Sequence, residues 1–545
     1  MWQANWRAQL PDLFNQEWDI VIVGGGITGA GILLEAARRG WRALLVEQRD
    51  FAWGTSSRSS KLVHGGLRYI KEGKLGLTRD SVRERQHLLQ QAPGLVEPQS
   101  FAFANYRGKK PGRWMFALGL AIYDRMAGQR ASHHHARHHH TRDEFLMLAP
   151  NVARDALEGG MCYQDAKTDD ARLVMRVLQE AVAAGGSAVN YMAATSLLRR
   201  EGQVKGQVKG QVKGQVEGVV LTDAIDQSHH AVKAKVVINA TGAWADHLRD
   251  GTVPGRKLRP LRGSHLILPA WRLPLAQAVS FMHPRDGRPV FAYPWEGVTL
   301  VGTTDVDHRA DLQKEAVIGA DEVDYLMAAL AYQFPQSALT HNDIISSYAG
   351  VRPVIDSGKS DPSKEGRDHA VWMEHGLLTV TGGKLTTFRL IALDALQQAA
   401  PYLPGPARSW QPSAIFTAGA DLALDARLNA LQRARLQGRY GAWAQAVVAM
   451  AQEHELETID GTETLWVELR WAAQFEAVLH LEDLLLRRTR VGLLLRGGAL
   501  DVLPRIRSIC QAGLLWDDGR WEQEQAAYFA LWHKHYAPPG LQHQE

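Results

Sequence analysis

Cysteine is nearly absent from this chain of 545 residues, which has two, Cys162 and Cys510. Two cysteines cannot build a disulfide framework, so a reducing compartment is expected. An excess of charge of one sign is lacking too. Lys and Arg number 62 against 58 Asp and Glu, a formal net charge of +4, too slight to argue for a nucleic-acid partner. No uninterrupted apolar run approaches the ~18–20 residues that span a bilayer, so no membrane crossing is expected; attachment to a membrane surface stays open. The first stretch, MWQANWRAQLPDLFNQEW, has no apolar core and carries acids, so no signal peptide is expected. The six histidines within 133–140 have no carboxylate or cysteine framework around them. A variable surface loop is expected there, and no metal site.

What is present is an ordinary globular composition, 45% hydrophobic and 22% charged, in a chain long enough for two or three domains. One stretch organises it: WDIVIVGGGITGAGILLEAARRGWRALLVE at 18–47. The apolar run 19–23 reads as a buried parallel strand. Gly24, Gly26 and Gly29 then supply G-x-G-x-x-G. The first glycine permits the tight turn, the second lets a pyrophosphate approach the backbone, and the third lets helix and strand pack closely. The helix opening at Ile27 and Thr28 offers N–H groups and a partial positive charge to phosphates. Residues 43–46 read as a second strand, and Glu47 stands where a carboxylate accepts a ribose 2′-hydroxyl. A carboxylate there would repel the 2′-phosphate of NADP, which leaves FAD and NAD.

Downstream, Thr55, Ser56, Ser57, Ser59 and Ser60 form a hydroxyl-rich loop suited to phosphate oxygens or a heterocycle edge. His64, Gly65, Gly66, Leu67, Arg68 and Tyr69 follow at once. The glycines allow a ligand to lie against the backbone, and Arg68 offers a grip on an anion. Residues 114–123 form an apolar stretch flanked by Lys109, Lys110, Arg113 and Arg125. As a helix it would be ~15 Å long, suited either to a core or to a membrane interface. Near-identical tetrapeptides at 203–218 (QVKG) suggest a lengthened surface hairpin with no chemistry. A strand at 235–240 turns out at Thr241, Gly242 and Ala243. Strand-like runs at 265–268, 290–293 and 299–302 suggest a mainly antiparallel sheet, after which 350–355 is expected to return to the first domain. A strand at 377–380 then leads into Gly382, Gly383, Lys384, Leu385 and Thr386. This is a second glycine turn and helix start, whose backbone donors suit a negatively charged ring. Beyond about 407 the chain reads as helical, a structural cap.

GGGITGAG followed by TSSRSSKLVHGGLRY resembles the FAD-dependent glycerol-3-phosphate dehydrogenase family, within the D-amino-acid-oxidase-like flavoproteins. The resemblance continues through DDARLV at 169–174, NATGAWA at 239–245, GSH at 263–265, VGTTD at 301–305, GVRP at 350–353 and GGKLTT at 382–387, and thinly to LLLRRTRVG at 484–492. It implies an α/β chain with a discontinuous Rossmann-like FAD-binding domain (1–90, 161–250 and 346–403). It also implies a cap region with a membrane-surface helix (91–160), an antiparallel-sheet substrate domain (251–345) and a helical C-terminal cap domain (404–545). FAD would be held by the first glycine turn with Ile27, Thr28 and Glu47, and by Thr55, Ser56, Ser57, Ser60 and Lys61. His64, Gly65 and Gly66, then Thr241 and Gly242, and finally Gly383, Lys384, Leu385 and Thr386 would complete the cofactor site.

The implied reaction is oxidation of sn-glycerol 3-phosphate to dihydroxyacetone phosphate, with two electrons reducing FAD and passing to a membrane quinone. The implied place is the inner face of the cytoplasmic membrane, and a homodimer stays open. A phosphate dianion needs two cations or convergent donors. By resemblance Arg68, Tyr69, Arg352 and Lys384 line the substrate pocket, with Arg367 nearby. Alcohol oxidation also needs a base: His265 is the first candidate and His64 the second. Lys384 is placed to stabilise negative charge at the flavin N1/C2=O edge. Two other readings stay open: an oxidase passing electrons to oxygen, and a flavin-binding scaffold without turnover.

Overall fold

A computed structural model describes residues 2–3, 5–66, 73, 75–109, 112–126, 138–200, 214–249, 258–356, 358, 365–366, 368–405, 410, 414–419, 421–422 and 425–538. Arg68, Tyr69, Arg367, the histidines at 133–135 and the tetrapeptides at 203–213 therefore lie outside the described residues.

Two sheets carry the molecule. In the first, the strand Trp18–Val23 is central, with every residue buried, as a strand covered on both faces must be. It pairs in parallel with Ala43–Val46 on one side and His229–Asn239 on the other, so that Ile20 faces both Ala43 and Val236. Ser187–Val189 and Leu377–Gly382 extend the parallel set outwards. His369–Glu374 adds an antiparallel edge. The helix Ile27–Arg38 joins the first two strands. Its Ile32, Leu33 and Leu34 are fully buried, each burial contributing about 1.5–3 kcal/mol. The helices Asp170–Ala183 and Phe388–Ala399 flank it. Gly31 permits the second contact, since a Cβ there would stand 2.8 Å from the Phe388 ring.

The second sheet runs, edge to edge, through Val306–Asp307, Leu258–Pro269, Val298–Gly302, Pro289–Trp295, Ala278–Met282, Val96–Tyr106, Leu157–Thr168 and Leu62–Val63. It is antiparallel throughout this path except where Ala278–Met282 runs parallel to Val96–Tyr106. Ser346–Ile355, expected to return to the first domain, instead pairs with Leu258–Pro269 from Leu258↔Ile355 to Ile267↔Ser346. The end of the histidine tract, expected as a loop, forms the edge strand His138–Thr141 against Leu157–Thr168. The arms around the tetrapeptide stretch do pair, Met192–Arg200 with Gln215–Asp223.

The C-terminal quarter is helical. Its Leu469, Leu485, Ile506, Trp521 and Trp532 share one hydrophobic core with Phe101, Tyr293, Trp295 and Tyr348 of the second sheet. The helices are thus packed into the rest of the molecule rather than appended to it.

Candidate active site

At the C-terminal edge of the first sheet, where ligands of open α/β folds bind, the turns after four strands converge on one cleft. The cleft has a volume of about 370 Å³, within the ~300–1,000 Å³ typical of a small-molecule site.

The first wall is the glycine turn. Gly24 has φ +115°, and a Cβ on it would stand 2.6 Å from the Ala240 carbonyl. A Cβ on Gly29 would stand 1.9 Å from the Gly24 carbonyl, so helix and strand touch as the motif requires. Gly24, Gly26, Ile27 and Thr28 line the cleft; Gly29 supports them from behind. The Ile27 N–H donates to Ser56 Oγ at 3.0 Å. Glu47 reaches the cleft from the end of its strand. Its carboxylate accepts from the Gly25 N–H at 2.7 Å and the Arg49 N–H at 3.0 Å. Burial nevertheless raises its pKa, because the two N–H donors offset only part of the lost hydration.

The second wall is the hydroxyl loop. Thr55, Ser56 and Ser59 line the cleft, and Thr55 Oγ1 donates to the Val351 carbonyl at 2.5 Å. Ser57 and Lys61 face the other way. The Ser57 carbonyl accepts from Lys61 Nζ at 2.9 Å, and Lys61 pairs with Asp170 at 2.9 Å, both ions fully buried. Burial, reinforced by Arg490, brings the Lys61 pKa down to about 8.

The third wall is Thr241 and Gly242, held by the buried Asn239, whose amide donates to the Ala245 carbonyl and whose Oδ1 accepts from Thr241. The fourth is Gly382, Gly383, Lys384 and Leu385. Gly382 and Gly383 have φ of +77° and +80°, a conformation that glycine adopts without strain. Lys384 Nζ donates to Ser81 Oγ at 2.8 Å. Thr386 Oγ1 donates to the His64 carbonyl, tying this turn to the 64–66 segment. The Gly65 N–H there donates to Tyr123 Oη at 2.9 Å and to Asp165.

Arg352 and His265 sit beside each other on neighbouring strands of the second sheet. Arg352 pairs with Asp305 at 3.0 Å and donates to Thr303 Oγ1 at 3.1 Å, so the VGTTD segment fixes its guanidinium. The next residue, Pro353, lines the cleft. His265 is fully buried, stacked on Tyr348 at 4.7 Å. Its Nε2 lies 2.9 Å from Ser60 Oγ, and its Nδ1 has no hydrogen-bond partner among the described residues. Burial lowers its pKa well below the usual value, and Arg352 and Lys61 lower it further, so the imidazole is neutral at pH 7.

Several lining residues escaped the sequence reading: Trp53, Thr195, Ser196, Trp244, His247 and Gln313. Trp53 and Trp244 pack at 5.7 Å. Trp244 Nε1 donates to the Leu312 carbonyl and Arg49 to the Gln313 carbonyl, which brings a segment of the second sheet's connections over the cleft. Only Trp244 carried a signal, its place two residues after the Thr241–Gly242 turn.

Comparison with known proteins gives the following. A family model described as FAD dependent oxidoreductase matches residues 19–389. A second, described as C-terminal domain of alpha-glycerophosphate oxidase, matches 406–521. The aerobic glycerol-3-phosphate dehydrogenase of Staphylococcus aureus (strain USA300) is 34% identical over 501 residues, covering 88% of this chain and 87% of that one. Among solved structures, the glycerol-3-phosphate dehydrogenase from Bacillus halodurans complexed with FAD is 28% identical, covers 98% of each chain and has a TM-score of 0.75. The L-alpha-glycerophosphate oxidase from Mycoplasma pneumoniae with FAD bound is 19% identical with a TM-score of 0.54, covering 71% of this chain and 95% of that one, a likeness of fold.

Proposed function

The chain belongs to the FAD-dependent oxidoreductases, and from that premise we propose that it oxidises sn-glycerol 3-phosphate to dihydroxyacetone phosphate and delivers the electrons to a membrane quinone. The cleft suits FAD: a helix N-terminus and the Ser56 hydroxyl for the pyrophosphate, Glu47 for the ribose, and a second glycine turn for the ring. When bound, FAD supplies the two-electron acceptor for the substrate's C2 hydride.

The observation that carries the reading is a fixed cation beside an uncharged imidazole. Arg352, oriented by Asp305 and Thr303, offers a planar fork to a phosphate dianion. His265 is neutral and so able to receive the hydroxyl proton, with Ser60 Oγ holding its Nε2. Lys384, lining the cleft, offsets negative charge that develops at the ring edge. Arg68 and Tyr69 are assigned to the substrate pocket by resemblance, and Arg367 is a further cation for the phosphate.

The test is an anaerobic titration of the FAD-loaded protein. Flavin absorbance should bleach with sn-glycerol 3-phosphate and not with glycerol or glycine; absence of bleaching with the phosphate ester sinks the proposal. The C-terminal likeness to a glycerophosphate oxidase gives the rival reading its footing. Reoxidation by a short-chain quinone should outrun reoxidation by air, and one peroxide per substrate would transfer the chain to the oxidases.

Attachment to a membrane surface belongs to the same reading. No helix among the described residues is long and apolar enough to cross a membrane. The helix Arg113–Met126 instead buries Leu120 and Tyr123 and turns Trp114, Met115 and Leu118 outwards, 79%, 62% and 64% exposed. Apolar side chains beside exposed Arg113 and Arg125 suit an anionic lipid interface. Replacing all three by serine is expected to cut co-sedimentation with phosphatidylglycerol vesicles by about tenfold or more, since each buried apolar side chain contributes ~1.5–3 kcal/mol. Binding equal to the unsubstituted protein would clear this helix of the role.

A further inference from the structure

We propose that the arginine triplet Arg487, Arg488 and Arg490 of the C-terminal helices positions the cofactor loop 50–61, with Arg490 as the deciding positioning residue. The proposal rests on the cleft being the FAD site and assigns to the C-terminal region a part in building it.

The triplet sits on an unusual piece of backbone. Residues Leu484–Arg488 form a π turn, closed by the Thr489 N–H on the Leu484 carbonyl at 3.0 Å. Such single turns insert one residue and re-aim the side chains that follow. Arg490 then adopts φ +65° and ψ 0°, a left-handed conformation that costs a non-glycine residue about 1–2 kcal/mol. The result is three guanidinium groups, each at most 1% exposed, of which Arg487 also bonds Glu482 and Asp483 and Arg490 the Leu486 carbonyl of their own turn.

All three meet the loop or its supports. Arg487 Nε and both terminal nitrogens of Arg488 bond to the Asp50 carboxylate, at 2.5, 2.7 and 2.7 Å. Asp50 is where the loop begins. Arg490 reaches the far half: Nη1 donates to the Ser57 carbonyl at 3.2 Å, Nε to Asp169 at 3.0 Å, and Nη2 to Asp170. Asp170 in turn accepts from the Ser59 N–H at 2.9 Å and Ser59 Oγ at 2.7 Å. Ser56 and Ser59, which line the cleft, are thereby flanked by a carbonyl and a carboxylate that one guanidinium holds. Ser56 Oγ also receives the Ile27 N–H at the start of the first helix, so a displaced loop would disturb the phosphate end of the cleft as well.

A merely stabilising arginine would behave differently, and the molecule provides one for comparison. Arg435 is also buried, and its bonds go to Glu468 at 2.7 Å, Glu296 at 2.6 Å and Thr464 at 3.3 Å, none of them in the loop. In the full-length protein, R490Q should raise the FAD dissociation constant by about tenfold or more, equivalent to ~1.4 kcal/mol. R490K keeps the charge but loses the fork, and should fall between. R435Q should lower the urea midpoint while leaving FAD affinity within about twofold, well under the tenfold that ~1.4 kcal/mol represents. FAD binding by R490Q at wild-type strength, or an equal loss in R435Q, overturns the proposal. Should R490Q not fold, R490K is read by hydrogen exchange in the FAD-free protein. Faster exchange confined to peptides of 50–61, with 18–46 unchanged, supports positioning; unchanged exchange in 50–61 overturns it. Failure of the unsubstituted protein to bind FAD would instead refute the reading of the cleft.

Discussion

Asp50→Ala is expected to destabilise the protein by about 3–5 kcal/mol, the penalty for leaving a buried ion without its partner. Asp50 is fully buried between Arg487 and Arg488 and also accepts from Asn190 Nδ2 at 3.0 Å. Its removal takes the bonded carboxylate from Arg488, which keeps the Glu476 carbonyl at 2.9 Å, while Arg487 keeps Glu482 and Asp483; the loss should still exceed that of Arg488→Met, which leaves Arg487 on the Asp50 carboxylate. Urea denaturation of the three proteins checks the order; equal midpoints for D50A and the unsubstituted protein would contradict it. The pairing also sets a pH window. Burial alone would raise the Asp50 pKa, but the two arginines overcome it and pull the group from 3.8 down to about 2. The folded carboxyl therefore stays ionised where the unfolded one protonates. That share of the stability is complete above pH 3.8 and is lost as the pH falls through about 2.

Arg352→Ala is expected to reduce kcat/KM for sn-glycerol 3-phosphate by about 30-fold or more, the counterpart of losing one partner of a desolvated charge pair, ~2–5 kcal/mol. The loss should appear mainly in KM, because a phosphate distant from the reacting carbon contributes binding to ground and transition states alike. The flavin spectrum should not change; a variant that cannot hold FAD would refute the assignment of Arg352 to substrate. Asp305→Asn tests the same geometry one bond further out. It keeps the shape of the Arg352 partner, bonded at 3.0 Å, while removing its charge, and should raise KM less than the alanine variant. Arg352→Lys should not restore the wild-type value, since an ammonium cannot reproduce the fork.

The parts of this site that the sequence made legible are those built by neighbours in the chain. Gly24, Gly26 and Glu47 belong to one strand–helix–strand unit whose pattern fixes its geometry, and they line the cleft together. The turn at Gly382 and Gly383 was legible for the same reason. Strand membership was harder. Residues 350–355 alternate imperfectly and follow an antiparallel region, and nothing local distinguishes a strand of one sheet from a strand of the other; the pairing with Leu258–Pro269 decides it. Lys61 read as a cofactor contact because it follows the hydroxyls, whereas its buried partner Asp170 lies 109 positions away. The pairing of Arg487 and Arg488 with Asp50 was invisible for the same reason, spanning 437 and 438 positions. Gln313 is brought to the cleft only when the connections of the second sheet fold over the first.

The path of the chain between the sheets also sets when the molecule can exist. The first sheet opens with Trp18–Val23 and receives its last parallel strand only at Leu377–Gly382, after the second sheet has taken most of the intervening chain. At the ~5–20 residues per second of synthesis, the first glycine turn emerges roughly 20 to 70 seconds before its opposite wall. During that interval the nascent protein presents a half-built parallel sheet with an open edge, a surface prone to pairing with other chains. Chaperone demand should therefore peak while the middle of the chain is being made and fall once residue 382 has cleared the ribosome.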